Sequence, residues 1–340
     1  TPTILQGNKY MDATLYTGNG STQVVVNNAQ FKPDFVWIKC RSGIQDNTLF
    51  DSVRGTTKYI ISNSTIAEVT DATTLTAFNS NGWTMGLFNQ INNNASTYVG
   101  WQWQAGQGST SSNTSGSITS TVSVNTTAGF SVVTYTGTGA NATVGHGLGV
   151  APSMIIVKNR TTAATSWAVY HTSLGNTNYL LLETTNASAS SITAWNNTSP
   201  TSTVFSVGTG TSVNQNTNSM LAYCWAEIAG FSKFGSYTGN GSADGPFVYT
   251  GFRPKWLLVK QSSSAGNAWQ LLDSSRNTYN KADNALFPNT TGAETTGNAT
   301  FDFLANGFKV RTTDGTVNTS SSTYIYAAYA ENPFKNSNAR

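Results

Sequence analysis

Short runs of β-branched and aromatic residues, such as Gln23–Val26, 130–135, 154–157 and 324–329, alternate along the chain with clusters of Gly, Asn and Ser. That pattern predicts strands closed by tight turns. No window of about eleven or more residues carries apolar positions at helical spacing between caps, so no long helix is expected. Several short strands per repeat unit, separated by frequent turns, read as an antiparallel sandwich or jelly roll. The expected class is all-β.

The pattern itself recurs. Tyr16-Thr17-Gly18-Asn19-Gly20 returns as Tyr135-Thr136-Gly137-Thr138-Gly139 and as Tyr237-Thr238-Gly239-Asn240-Gly241, at offsets of 119 and 102 residues. A second landmark, a proline followed by an apolar run and a lysine, keeps the same offsets: Pro33 to Lys39, Pro152 to Lys158 and Pro254 to Lys260. A third closes each unit: Tyr98-Val99-Gly100-Trp101, Ala222-Tyr223-Cys224-Trp225 and Tyr326-Ala327-Ala328-Tyr329. Units of this size exceed solenoid repeats of about 20 to 50 residues and suit domains with cores of their own. Three tandem antiparallel β-sandwich domains, jelly-roll or lectin-like, are therefore expected at 1–106, 129–229 and 230–340. Between the first two, 107–128 reads as a Ser/Thr/Gly-rich linker containing a possible strand at 117–125. Such a linker would let the first domain move relative to a tighter pair formed by the other two.

The recurrent proline fixes φ and lacks an N–H, which suits the position before a strand. The run after it is apolar on both parities, as in a strand covered on both faces. Lys39, Lys158 and Lys260 are thus expected at equivalent ends of buried central strands.

Composition narrows the function. Charged residues make up 10% of the chain, so Ser, Thr, Asn and Gly must supply the polar surface. The net charge of +3 is scattered and no basic stripe exists, which argues against nucleic acid as a partner. No apolar stretch approaches the roughly 20 residues of a spanning helix, so no membrane insertion is expected. Thr1-Pro2-Thr3-Ile4-Leu5-Gln6-Gly7 has no signal-peptide pattern, and a missing N-terminal portion is expected. Cys40 and Cys224 stand at non-equivalent places in the repeats and are expected to be free, buried thiols.

Candidate chemistry is sparse. Asp51 and Arg54 in the first unit match Asp273 and Arg276 in the third, while the second has His171 to Gly175 there. Spacing of this kind predicts a pair closing a tight turn, with Leu174 packing in its place in the second unit. His146 and His171 are too few for a metal site, and neither a calcium loop nor a nucleophile elbow is present. No catalytic residue, metal or cofactor is expected. Trp195 stands in a polar stretch beside Asn196 and Asn197, a ring flanked by amides that could stack and hydrogen-bond a sugar.

The string Gly230-Phe231-Ser232-Lys233-Phe234-Gly235-Ser236-Tyr237-Thr238-Gly239-Asn240-Gly241, the later Phe252-Arg253-Pro254 and the ending Tyr329-Ala330-Glu331-Asn332-Pro333-Phe334-Lys335 with Asn338-Ala339-Arg340 resemble the C-terminal repeat region of structural proteins of tailed bacteriophages. Marine and cyanobacterial phages are the nearest likeness. The segments Phe50 to Gly55 and Gly145 to Pro152 resemble the first and second repeats of the same proteins. The resemblance implies a location on the virion surface, with other virion proteins and host surface polysaccharide as partners and a homo-oligomer, for instance a trimer. It implies no catalytic or ligand residues. The leading expectation is a tail fibre or receptor-binding adhesin. Two alternatives stay open: a capsid decoration, cement or head-fibre protein, and a glycan depolymerase, which would need two carboxylates about 5 to 10 Å apart.

Overall fold

The computed structural model describes residues 7–331, and over them the chain is all-β, with antiparallel sheets and no helix longer than four residues. Each repeat contributes a large sheet built on the same four strands. An opening strand carries the Tyr-Thr motif (Met11–Thr17, Phe130–Thr136, Ser232–Thr238), and a central strand follows or includes the recurrent proline (Phe35–Cys40, Met154–Asn159, Pro254–Gln261). A following strand comes next (Thr48–Asp51, Ala168–His171, Gln270–Asp273), and a closing strand ends the unit (Thr97–Trp103, Ser219–Trp225, Thr323–Ala330). In all three the closing strand lies between the opening and central strands, and the following strand pairs with the central one from its other side. A smaller sheet forms from Gln23–Val26, Leu75–Asn79 and Gly82–Met85 in the first repeat, Ala142–Gly145 and Val204–Val207 in the second, and Phe247–Tyr249, Phe301–Leu304 and Gly307–Val310 in the third.

The central strands are where the apolar runs place them. Every residue of Phe35–Cys40 and Met154–Asn159 is buried, and in Pro254–Gln261 only Lys255 is not. Lys39, Lys158 and Lys260 fall at matching places near the strand ends and are fully buried. Cys40 and Cys224 are free and buried.

The recurring Tyr-Thr-Gly motif has a steric and a hydrogen-bonding reason. A Cβ on Gly18, Gly137 or Gly239 would lie 2.3, 2.2 or 2.3 Å from the carbonyl oxygen of Asn93, Gln215 or Thr319, so only glycine fits. The loop is then held by one buried asparagine per repeat, each the last residue of a four-residue helix: Asn92, Asn214 and Asn318. Each Oδ1 accepts from the N–H of Asn19, Thr138 or Asn240, at 2.9, 2.8 and 2.9 Å. Each Nδ2 donates to two carbonyls, those of Ser21 and Gly86, Ala140 and Gly208, or Ser242 and Thr312. The motif tyrosines Tyr16, Tyr135 and Tyr237 donate to the carbonyls of Ile91, Val213 and Val317 in the same helices.

The segment at 107–128 is not a free linker. Buried Asp34 accepts from the N–H groups of Ala105, Gln107 and Gly108 at 2.7, 2.8 and 2.7 Å, which pins its start to the first repeat. Ser111–Asn113 then pairs with Ser120–Asn125, and Ser120–Asn125 pairs with Phe130–Thr136, widening the second repeat's large sheet to eight strands. Backbone hydrogen bonds thus consume a stretch whose composition suggested flexibility.

Replacing Asn214 by Ala strips a buried N–H and two carbonyls of their partner, a loss worth about 1–3 kcal/mol. Urea denaturation of Asn214→Ala should show that loss, while Asn216→Ala, at an exposed neighbour, stays within about 0.5 kcal/mol of the parent.

Candidate functional site

The recurrent Asp/Arg turns are joints between repeats. Within each turn the pairing is as the spacing predicts: Asp51 with Arg54, and Asp273 with Arg276 at 2.7 Å, all four side chains fully buried. Each Asp also accepts the N–H of its Arg at 2.9 Å. The second Asp51 oxygen accepts from the hydroxyl of Tyr223 in the second repeat at 2.8 Å. Asp273 accepts from Nε1 of Trp101 in the first repeat at 2.9 Å. At the matching place of the second repeat, His171 Nε2 meets the carbonyl of Tyr326 in the third at 3.0 Å, and its Nδ1 accepts from Ser173 N–H. Leu174, half-buried, packs against the core there.

A second tier extends each arginine outward. Arg54 Nη1 donates to Glu68 at 3.1 Å, and Arg160 of the second repeat grips the same carboxylate with two bonds of 2.9 Å. Arg276 Nη1 donates to Glu294 at 2.9 Å, and Arg41 of the first repeat grips that carboxylate at 3.0 and 2.9 Å. The third joint carries no such charges: Ser188 N–H donates to Ser262 O at 2.9 Å, as Glu68 and Glu294 N–H donate to the carbonyls of Arg160 and Arg41. The buried lysines form a further tier, with Lys39 reaching Thr291 O at 2.8 Å, Lys158 Thr65 O at 3.1 Å and Lys260 Thr185 O at 3.3 Å. A last tier is made by Trp167 on Ile61 O, Trp269 on Leu181 O and Asn47 on Phe287 O, at 3.0, 3.1 and 2.9 Å.

Every tier joins the first repeat to the second, the second to the third and the third to the first. The three repeats therefore close into a ring within one chain, and the first repeat is bound to both of the others. Where the closing strands end, Trp103 lies 6.0 Å from Trp225 and 5.9 Å from Tyr329, the three residues standing opposite Phe35, Met154 and Trp256. One apolar cluster runs through all three repeats there.

Electrostatics follow from burial. Desolvation opposes the charge on Arg54, but Asp51, Tyr223 and Glu68 hold its guanidinium above its usual value. Burial likewise works against the Glu294 and Asp273 carboxylates, and their arginine partners win and lower both. The lysines, given carbonyls and, for Lys158, the Thr165 hydroxyl rather than a carboxylate, are pushed down by burial to about 8. Desolvation lowers His171 to about 4, which matches a neutral ring donating from Nε2 and accepting at Nδ1.

Trp195 does not offer a face to a sugar. It is 1% exposed, ends the short helix Ile192–Trp195 and packs edge-on against Tyr170 with centroids 5.8 Å apart. Asn196 and Asn197 adopt φ of 50° and 49° and turn the chain out of that helix, so the polar stretch is a helix stop around a core tryptophan. Sequence reasoning missed the outer tier. Its signal was legible: Lys-x-Arg recurs in the first two repeats, as Lys39 with Arg41 and Lys158 with Arg160.

Among the described residues no three His, Cys, Asp or Glu side chains gather as a metal-binding group, and no helix is long and apolar enough to cross a membrane. Residues 6–333 match the family described as Domain of unknown function (DUF7483). Neither the curated proteins nor the solved structures contain a match to the chain.

Two outcomes test the joints. Removing one partner of a buried ion pair costs about 3–5 kcal/mol, the expected loss for Asp51→Ala, and Tyr223→Phe should cost about 1 kcal/mol. A double-mutant cycle should give a coupling of about 0.5–3 kcal/mol between these distant positions, and additive losses would mean that the joint is not made in solution. For His171, the unfolded chain binds a proton near pH 6.5 that the folded chain refuses until about 4. Stability is therefore full above pH 6.5 and falls as pH drops toward 4, and His171→Asn should flatten part of that slope in thermal melts.

Proposed function

The chain belongs to this DUF7483 family, and from its own residues we propose a bacteriophage virion surface protein, a tail fibre or receptor-binding adhesin that contacts host surface glycan without catalysis. In this reading the three repeats are β-sandwich domains, each packing its large sheet on its small one. The observation that carries it is the ring of joints: Asp51, Arg54, Asp273 and Arg276, the acids and bases a hydrolase would expose in a cleft, are fully buried and spent on holding repeats together. A rigid body with a low-charge Ser, Thr and Asn surface suits display and contact. Repetition of such bodies on a virion multiplies weak single-site affinities by about 10² to 10⁴. The phage-like strings that lie in described residues, around 230–241, 252–254 and 329–331, support the location, and the remaining string, 332–340, falls outside them.

Purified chain incubated with host envelope polysaccharide should retain the glycan at unchanged length on sizing, and antibody to the chain should label virion tails. Shortened glycan would make the protein a depolymerase. Labelling confined to the head, with raised capsid stability on adding the chain, would make it a decoration protein.

A further inference from the structure

The third repeat departs from the other two in one loop. Leu49 faces Ile60 and Val169 faces Leu180, both 11 residues apart, whereas Leu271 faces Leu286 across 15, so the third repeat carries four more residues there. The other two copies make the same strand pairing without them, so folding does not require the insertion. It carries Tyr279, 85% exposed and the most exposed large hydrophobic side chain among the described residues. The loop is nevertheless held. Asn280 accepts from Phe303 N–H at 2.8 Å and donates to Phe303 O at 3.1 Å, pairing with the edge of Phe301–Leu304 as another strand would. Asn277 closes the loop base by accepting from Asn284 N–H at 2.9 Å.

Tyr279 lines a cavity of about 290 Å³ together with Arg253, Thr278 and Leu304. Arg253 is fixed by an ion pair from Nη1 to Glu331, and its other two guanidinium nitrogens have no protein partner among the described residues. Arg253 is the one charged residue among those lining the cavity, and its pairing with Glu331 offsets that charge. The volume stands at the lower end of small-molecule sites, which run from about 300 Å³ upward, enough for one ring and not for a long chain.

We propose that this cavity binds a single neutral sugar residue, a hexose of a surface polysaccharide, with the C–H face of its ring on Tyr279 and its hydroxyls on Arg253 and Thr278. The proposal rests on the glycan-binding reading above and replaces Trp195 as its site. An exposed aromatic ring beside fixed hydrogen-bond donors gives the two contacts a pyranose needs, one apolar and one polar. A guanidinium already paired with a carboxylate has hydrogen-bond donors to offer but little net charge, which favours the hydroxyls of a neutral sugar over a second anion.

Saturation-transfer NMR on the intact chain with glucose, galactose and mannose, and with glucuronate as the acidic comparator, tests the site alongside retention of host envelope polysaccharide. Binding of a neutral hexose, weakened at least tenfold by Tyr279→Ala and by Arg253→Gln with the melting temperature of Tyr279→Ala unchanged, is the expected result. Polysaccharide retention that Tyr279→Ala abolishes supports the site even where free hexoses bind too weakly to detect. Retention undiminished in Tyr279→Ala overturns the site and leaves the adhesin reading standing. Glucuronate bound in preference to the hexoses overturns the neutral class. A parent chain that retains neither hexose nor polysaccharide overturns the site and the reading together.

Discussion

A buried carboxylate must keep its partner, and in this chain the partners come from two repeats at once. Asp51 is satisfied by Arg54 beside it and by Tyr223 from the next repeat, and Asp273 by Arg276 and by Trp101. Neither acid is fully paired in an isolated repeat. The arginine of the turn compensates each charge and the donor from the adjoining repeat satisfies acceptor capacity left over, so the turn and the joint stabilise one another. The arginines extend the same logic outward to Glu68 and Glu294, where a second arginine from the adjoining repeat completes the shell.

The joint between the second and third repeats solves the same problem without charge. His171 stands where the other repeats have Asp, Ser188 where they have Glu68 and Glu294, and Ser262 where they have Arg41 and Arg160. These replacements match across the joint: the repeat without the acid meets the repeat without the arginine. A ring turned the other way would set Arg41 against Ser188, Arg160 against Glu294 and Ser262 against Glu68, leaving Arg41 without an acid and Glu68 with only the Arg54 of its own repeat. Charge complementarity therefore selects the cyclic order as well as stabilising it.

Closing three similar units through one chain leaves few places where the repeats can differ without disturbing the fold. The hydrogen bonds of the Tyr-Thr-Gly loops and the buried lysines recur in all three, and the acid and arginine positions of the joints vary in matched pairs. The loop at 277–283 of the third repeat varies freely because it lies outside every tier, which is where a recognition feature can be added at little cost to stability.

Much of the architecture was legible in the sequence, since strands, repeats and buried central runs depend on local pattern: β-branched and aromatic runs between Gly, Asn and Ser clusters, motifs that recur at common offsets, and prolines before apolar runs. The Asp/Arg turns were legible for the same reason, three residues apart in one loop. Local pattern could not show that the second oxygen of each acid is bonded from another repeat, because Tyr223 and Trp101 look like core residues of their own strands. Trp195 misled because a polar neighbourhood in sequence is not an exposed one in space: Asn196 and Asn197 turn away while the ring enters the core. The stretch at 107–128 misled because Ser, Thr and Gly describe a flexible chain only until an edge strand and Asp34 offer its backbone partners. Tertiary structure decided which surfaces meet, since that depends on where buried polar groups find partners across the whole chain.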